Sequence, residues 1–442
     1  MTPTIREKAV LVGVVEPGQS RWEAEEYLEE LAMLADTAGA DVVGKVFQDG
    51  GRLNPAYLIG RGKVEELVRV VQEQQANLVI FDHDLTPVQV KNLEKSCGVK
   101  ILDRSGLILD IFARRARTKE AKTQVELAQL KYLLPRLTRQ WTHLSRQYGG
   151  IGTRGPGETQ LEVDRRMIRR RIAVLDRELD QIRQQRQVRR RHRSDIFKAA
   201  LVGYTNVGKS SLLNALTDSQ VFVEDRLFAT LDATVRAMRA DKGLRVLLID
   251  TVGFIRKLPH HLVASFMSTL EEAAEADLLL HVVDVSHPQF PMQIETVNEV
   301  LKQLELHTKP MVYVFNKIDA VQEKGIFASL REQYRPAVFV SATRGMFLQD
   351  LRNVILEYAR RQFIEITVCL PAERSAVLSL IDRLAEVRDV TEVDGRLRVR
   401  FLTDRDRWSR LRHSLDRSEY TVADAEVTVQ DREAEEAQLQ AR

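Results

Sequence analysis

Short β-branched runs alternate with amphipathic stretches over the first hundred residues. KAVLVGVV (8–15), DVVGKVF (41–47), NLVIF (77–81) and VKILD (99–103) read as strands. Between them, 21–38 and 64–75 repeat apolar residues every three to four positions and read as helices. Such alternation predicts a parallel sheet covered by helices. From about residue 117 to 193 the pattern changes. Leu127, Leu130, Leu134, Leu137, Trp141 and Leu144 step by threes and fours, and Leu161, Ile168, Ile172, Leu175, Leu179 and Ile182 repeat the step after a glycine-rich stretch. Two heptad-like seams on either side of a turn predict an antiparallel helical hairpin. Pro135 is expected to kink its first arm, because proline removes a helix donor and clashes with the preceding turn. An arm of about 28 residues would span ~42 Å at the helical rise. Strand–helix alternation then resumes with KAALVGY, RVLLID, LLLHVVDV, MVYVFNK and AVFVSA, which predict a second doubly wound, mostly parallel sheet. IEITVCL and RLRVRFL, with helices near 373–386 and from 404, predict a small α+β unit, and the last dozen residues read as a frayed helix or tail. These changes place the expected boundaries at 1–112, 113–195, 196–363 and 364–442.

A chain of 442 residues accommodates this organisation at ~100–200 residues per domain. Cys97 and Cys369 are the only cysteines and stand far apart, which supplies neither a disulfide framework nor a zinc cluster and suits a reducing compartment. No apolar run reaches the ~18 residues of a membrane span, and the first apolar run reads as a strand rather than a leader. A cytoplasmic protein is expected. The net charge of +3 conceals an asymmetry: residues 113–193 carry 22 Lys+Arg against 8 Asp+Glu, a local +14, which leaves −11 on the rest. A basic segment on an acidic protein favours a polyanionic partner, most often nucleic acid.

Chemistry enters at Gly203-Tyr204-Thr205-Asn206-Val207-Gly208-Lys209-Ser210, which follows a strand and opens a helix beginning at Ser211. It matches G-x-x-x-x-G-K-[ST], a loop whose backbone N–H groups cradle phosphates. Lys209 is expected on the β/γ-phosphates and Ser210 on Mg²⁺. Asp250-Thr251-Val252-Gly253 ends another predicted strand. Asp250 can hold Mg²⁺ through water, and Gly253 can offer its N–H to a γ-phosphate. Asn316-Lys317-Ile318-Asp319 ends the next one. The Asp319 carboxylate can accept from guanine N1–H and N2–H₂ together; adenine lacks that donor pair, so Asp319 selects GTP. Ser341-Ala342-Thr343 then offers a backbone N–H to guanine O6. The intervening LFATLDATVR is expected to form a switch loop ordered by Mg²⁺ and γ-phosphate, with Phe228, Ala229, Leu231 and Asp232 near the nucleotide. Thr230 and Thr234 both qualify by spacing as its threonine.

GGIGTRGPGETQLE, GYTNVGKS, FATLDAT and DTVGFIRKLP resemble signatures of the bacterial HflX GTPases, translation-factor-related P-loop GTPases, along essentially the whole chain. The resemblance assigns Thr230 as the switch threonine. It implies a cytoplasmic GTP hydrolase bound to the large ribosomal subunit and its rRNA near the peptidyl-transferase centre, splitting stalled or stressed ribosomes or assisting subunit assembly. Ala233 stands where that family usually has proline. A monomer is expected. After Gly253 comes Phe254, where Ras-like GTPases carry the glutamine that orients water, so slow intrinsic hydrolysis stimulated by ribosomes is expected. Lys209, Thr230, Gly253 and Asn206 are the expected catalytic set. In related GTPases an asparagine at the Asn206 position ligates K⁺; an Asx-turn that merely fixes the loop is the alternative.

The glycine-rich stretch 149–157 carries one charged residue, Arg154, at the expected hairpin tip. It lacks a Walker lysine, and glycines allow close backbone approach to RNA, so Arg154, Gly155 and Gly157 are expected RNA contacts. A hairpin whose charge serves only solubility is the plainer reading. Gly60-Arg61-Gly62-Lys63 could cradle a second phosphate but reads better as a strand–turn–helix. His143, His260 and His261 lack metal-ligand spacing, and Glu271 and Glu272 read as a solvated helix face. Two further function classes fit the sequence: an ATP-using, helicase-like RNA-remodelling factor regulated by its GTPase, and a non-ribosomal scaffold timed by it.

Overall fold

The computed structural model describes residues 6–16, 18–50, 53–137, 160–190, 196–217, 227–228, 230, 233–239, 245–257, 272–322, 325–361, 364–371, 375–393, 395–403, 405–413, 415 and 420–422. The first sheet is parallel, in the order β2-β1-β3-β4, with β1 Glu7–Val14, β2 Ala40–Gln48, β3 Leu78–Phe81 and β4 Lys100–Asp103. Helix α1, Arg21–Ala38, starts on a Ser20–Glu23 capping box and stops at Gly39 in the left-handed region. It lays Leu28, Leu31, Leu34 and Ala35 on one sheet face. Helices α2, Arg61–Glu73, and α3, Pro87–Cys97, cover the other with Leu67, Val71 and Leu93. Helix α4, Arg104–Arg115, follows β4 directly.

Helices α5, Lys119–Leu133, and α6, Gln160–Arg190, run antiparallel. Leu127, Leu175 and Leu179 bury their contact with Leu130 and Ile172, and Arg171 grips Glu126 with two bonds of 2.7 and 2.8 Å. The hairpin seam is therefore present on the described part, but the first arm is corrected. Pro135 ends α5 instead of kinking it. The chain leaves Leu133 into a single 3-10 turn, Leu134–Arg136, and Leu137 is extended. With no N–H on Pro135, the helical ladder has no donor to continue through. Trp141, Leu144 and the glycine-rich tip lie outside the described residues.

The second sheet has the order β10-β9-β8-β5-β7-β6. Its strands are β5 Phe197–Gly203, β6 Thr234–Arg239, β7 Arg245–Asp250, β8 Leu278–Asp284, β9 Met311–Asn316 and β10 Ala337–Phe339. All pairs are parallel except β6 with β7, where Thr234 lies opposite Asp250. The edge strand β6 overlaps the end of the expected switch loop and continues beyond it to Arg239. The third sheet is antiparallel, β12-β13-β11-β14. It is formed by β11 Ile364–Pro371, β12 Glu386–Val393, β13 Arg396–Thr403 and β14 Tyr420–Val422, with helices Ser375–Leu384 and Arg405–Arg412 as crossovers. That β-α-β-β-α-β order is the split βαβ arrangement. Apolar side chains on one face of the first sheet and on the second share a continuous cluster that includes Leu28, Phe112, Leu227, Phe228, Phe254 and Ile255.

Candidate nucleotide site

Strand β5 delivers the chain to the phosphate loop, and helix α7, Lys209–Thr217, carries it away. Gly208 holds φ +92°, and a Cβ there would stand 2.4 Å from Asn316 Nδ2. Only glycine permits that approach. The contact matters because Asn316 joins three motifs. Its Nδ2 donates to the Val207 carbonyl at 2.9 Å, and its Oδ1 accepts from Ala342 N at 3.0 Å. Lys317 donates to the Asn206 carbonyl at 3.0 Å and pairs with Asp284 at 2.7 Å. Asn206 itself is exposed, with φ +62°. Asp319 opens outward from a 3-10 turn, Ile318–Ala320, with Arg344 at 4.0 Å; the buried Ser341 hydroxyl accepts from Arg344 N and lies 3.3 Å from Thr343.

Lys209 is buried and donates to the carbonyls of Gly203 at 3.1 Å and Tyr204 at 2.6 Å. Burial lowers its pKa to about 8, against the raising influence of Asp250. Three oxygens converge beside it. Ser210 Oγ donates to Asp250 Oδ2 at 2.5 Å and meets Thr230 Oγ1 at 2.8 Å, and Thr230 donates to Asp250 Oδ2 at 3.2 Å. Asp250 is fully buried, its Oδ1 has no hydrogen-bond partner, and burial raises its pKa. A buried carboxylate and two hydroxyls form a hard oxygen set that suits Mg²⁺. Thr234, the alternative by spacing, belongs to β6, whereas Thr230 is the threonine whose hydroxyl joins Ser210 and Asp250.

Thr251 turns its hydroxyl to the Leu201 carbonyl at 2.7 Å, and Val252 is buried. Gly253 lies against the phosphate loop: a Cβ there would meet Thr205 Cα at 2.8 Å and Lys209 Nζ at 2.9 Å. Thr205 N donates to Phe254 O at 2.7 Å, and Phe254 N to Gly203 O at 3.0 Å. Phe228 is buried edge-on against Phe112 of α4, with ring centroids 4.7 Å apart. Ala229, Leu231, Asp232, Arg154, Gly155 and Gly157 lie outside the described residues, as do His143, His260, His261 and Glu271. Helix α2 begins at Arg61; Gly60 N donates to Gln48 Oε1 at 2.6 Å, and Lys63 pairs with Glu66.

The sequence reading missed a set of residues from the helices and loops around the first sheet that clasp the loop. Glu30 accepts from the Tyr204 phenol, which also receives the Arg256 N–H at 2.9 Å. Arg104, buried, bonds Glu30, Asp82 at 2.7 Å and the Arg256 carbonyl at 3.2 Å. The Arg256 guanidinium lies over the Tyr27 ring at 3.0 Å. An arginine inside the apolar run KILDRSGLILDIF was the one available hint.

Comparison with known proteins agrees with this site. The family described as GTP-binding GTPase N-terminal matches residues 25–113, GTP-binding GTPase Middle Region matches 115–193, and 50S ribosome-binding GTPase matches 198–317. The GTPase HflX of Flavobacterium psychrophilum is 54% identical over 375 residues, covering 80% of this chain and 91% of that protein. The GTPase HflX of Escherichia coli K12 is 42% identical over 391 residues, covering 87% and 92%. A GTP-binding protein of Sulfolobus solfataricus, solved in complex with GDP, is 28% identical over 80% of this chain and 98% of its own, with a TM-score of 0.43. The loop, the oxygen set and the matched families lead to one assignment: the chain belongs to the HflX family of GTPases and is a GTP hydrolase.

Proposed function

We propose that this GTPase is a Mg²⁺-dependent switch that binds the large ribosomal subunit in its GTP state and leaves after hydrolysis, acting in ribosome splitting, rescue or assembly under stress. The convergence of Ser210, Thr230 and Asp250 carries the switch reading, because a threonine hydroxyl that joins the expected magnesium ligands couples its own segment to the nucleotide state. Ser210 and Thr230 would ligate the ion, and Asp250 would hold it through water. The ion supplies charge neutralisation at the β- and γ-phosphates. Lys209 neutralises the same oxygens, the Gly253 N–H meets the γ-phosphate, and Asp319 reads guanine. Asn206, exposed within the loop, is the candidate K⁺ ligand. The match to a family described as 50S ribosome-binding GTPase and the +14 on residues 113–193 support the ribosomal partner. A cytoplasmic monomer fits this role; among the described residues no helix is long and apolar enough to cross a membrane. Sedimentation with ribosomes tests the reading. The protein should pellet with large subunits in a non-hydrolysable GTP analogue and not in GDP, and equal pelleting in both would overturn it.

A further inference from the structure

We propose that the Thr205 hydroxyl orients the attacking water against the γ-phosphate, the task that the residue after Gly253 cannot perform. That residue, Phe254, is 2% exposed and its ring lies in the apolar core. Thr205 is 5% exposed, and its Oγ1 has no hydrogen-bond partner. An unpaired buried hydroxyl is costly in a folded protein and calls for a partner that arrives with function.

The position points to that partner. A Cβ built on Gly253 would stand 2.9 Å from Thr205 Cγ2 and 2.9 Å from Lys209 Nζ. The Thr205 methyl, the Lys209 ammonium and the Gly253 backbone therefore meet within the width of one side chain, with the hydroxyl on the same β-carbon as that methyl. A Walker-type lysine faces the β- and γ-phosphates, so this meeting point is the γ-phosphate end of the site. Two backbone bonds, Thr205 N to Phe254 O at 2.7 Å and Phe254 N to Gly203 O at 3.0 Å, fix Thr205 in place.

The neighbouring hydroxyls are already engaged. Tyr204 serves Glu30 and Arg256, Thr251 serves Leu201, and Ser210 and Thr230 serve Asp250. A threonine hydroxyl offers one donor and two acceptor positions, so it accepts from the water while donating to a γ-phosphoryl oxygen. The water oxygen attacks Pγ. The bond from Pγ to the β-phosphate oxygen breaks, and its electron pair stays on GDP. One water proton passes to a γ-phosphoryl oxygen and the other stays on the attacking oxygen, giving GDP and inorganic phosphate. Thr205 is unchanged.

Single-turnover GTP hydrolysis, measured beside GDP affinity, tests the assignment. Thr205→Val keeps the shape and removes the hydroxyl; it should hydrolyse on the order of 100- to 1,000-fold more slowly than the natural protein, with GDP affinity retained. Thr205→Ser and Thr205→Ala repeat the comparison without the methyl group, and serine should exceed alanine by a similar factor. If valine distorts the loop so that GDP affinity is lost, the serine–alanine pair decides. Equal rates for threonine and valine with GDP binding intact, or for serine and alanine, would overturn the proposal, since the side chain would then act only through packing.

Discussion

Asp319 is the proposed reader of guanine, and its setting makes the proposal testable. The carboxylate is 28% exposed, close to Arg344, and carried on the same turn as the Lys317 that braces Asn206. Asp319→Asn replaces an acceptor by an amide that can donate. Preference should move from GTP towards xanthosine triphosphate, with GTP affinity falling roughly 10- to 100-fold, the worth of a charge-assisted pair. Competition binding with the two nucleotides measures it, and an unchanged preference would remove the assignment. Thr230 makes a second distinction. Thr230→Ala should spare GDP binding and remove GTP-specific ribosome association, while Thr234→Ala, on strand β6, should leave both intact. Equal losses from both would leave the hydroxyl geometry without functional meaning. Lys209 adds a pH dependence. Its pKa is lowered to about 8 by burial, and phosphate must raise it again by favouring the ammonium. Nucleotide binding therefore takes up a proton above that value, and GDP affinity should weaken as pH rises through about 8. A flat affinity between neutral pH and about 8.5 would show that the lysine stays charged in the free protein.

The hairpin and the strands differ in how openly the sequence states them. Strand β7 and helix α1 were readable to the residue, because β-branched runs and a capping box leave local marks. Strand β6 was not, because Thr234–Arg239 shares its stretch with the switch motif and pairs with Arg245–Asp250 through contacts that local periodicity does not encode. Strand β12 is mostly exposed, and its stretch received no expected element. The P-loop, Asp250 and Asn316 were legible for the opposite reason: phosphate and guanine chemistry dictates residue types at fixed spacings. Thr205 was visible as a motif position, but its unpartnered hydroxyl appears only once Gly253 is folded against it. In the hairpin, Leu127, Leu175 and Leu179 bury against one another between the described arms. Shortening 149–157 to a compact turn should therefore leave folding and basal GTP hydrolysis intact. Ribosome pelleting and ribosome-stimulated hydrolysis should both drop, and Arg154→Ala should show part of the loss. Binding should also weaken steeply with salt, by about 0.7–0.9 in log–log slope per phosphate neutralised. Unchanged pelleting would assign the glycines to the turn alone.

The first and second sheets are joined by apolar packing and by a buried charge clasp, and the clasp governs how well that junction tolerates change. Asp82 shows the balance. Burial favours its neutral form, yet Arg104, Arg256 and Lys257 hold its pKa below the ordinary carboxylate range. Such a carboxylate stabilises the folded state above its unfolded pKa, and the contribution is lost as pH falls through the folded value. Arg104 is the centre of the arrangement. It touches Glu30 and Asp82 from the first sheet's side and the Arg256 carbonyl, three residues past Gly253, from the other. Replacing it by leucine would leave two carboxylates without their buried cation, a loss of about 3–5 kcal/mol. Removing one of the two carboxylates as well, in Arg104→Leu with Asp82→Leu, should recover part of that loss, because fewer buried charges are then left without Arg104. Urea unfolding at neutral pH measures both variants. The single variant should also lose part of the acid sensitivity that Asp82 confers, since Arg256 and Lys257 would still help to hold its carboxylate charged. If Arg104→Leu unfolds at the natural protein's midpoint, the clasp contributes nothing net. The shared apolar cluster of Leu28, Phe112, Phe228 and Phe254 would then hold the two sheets together alone.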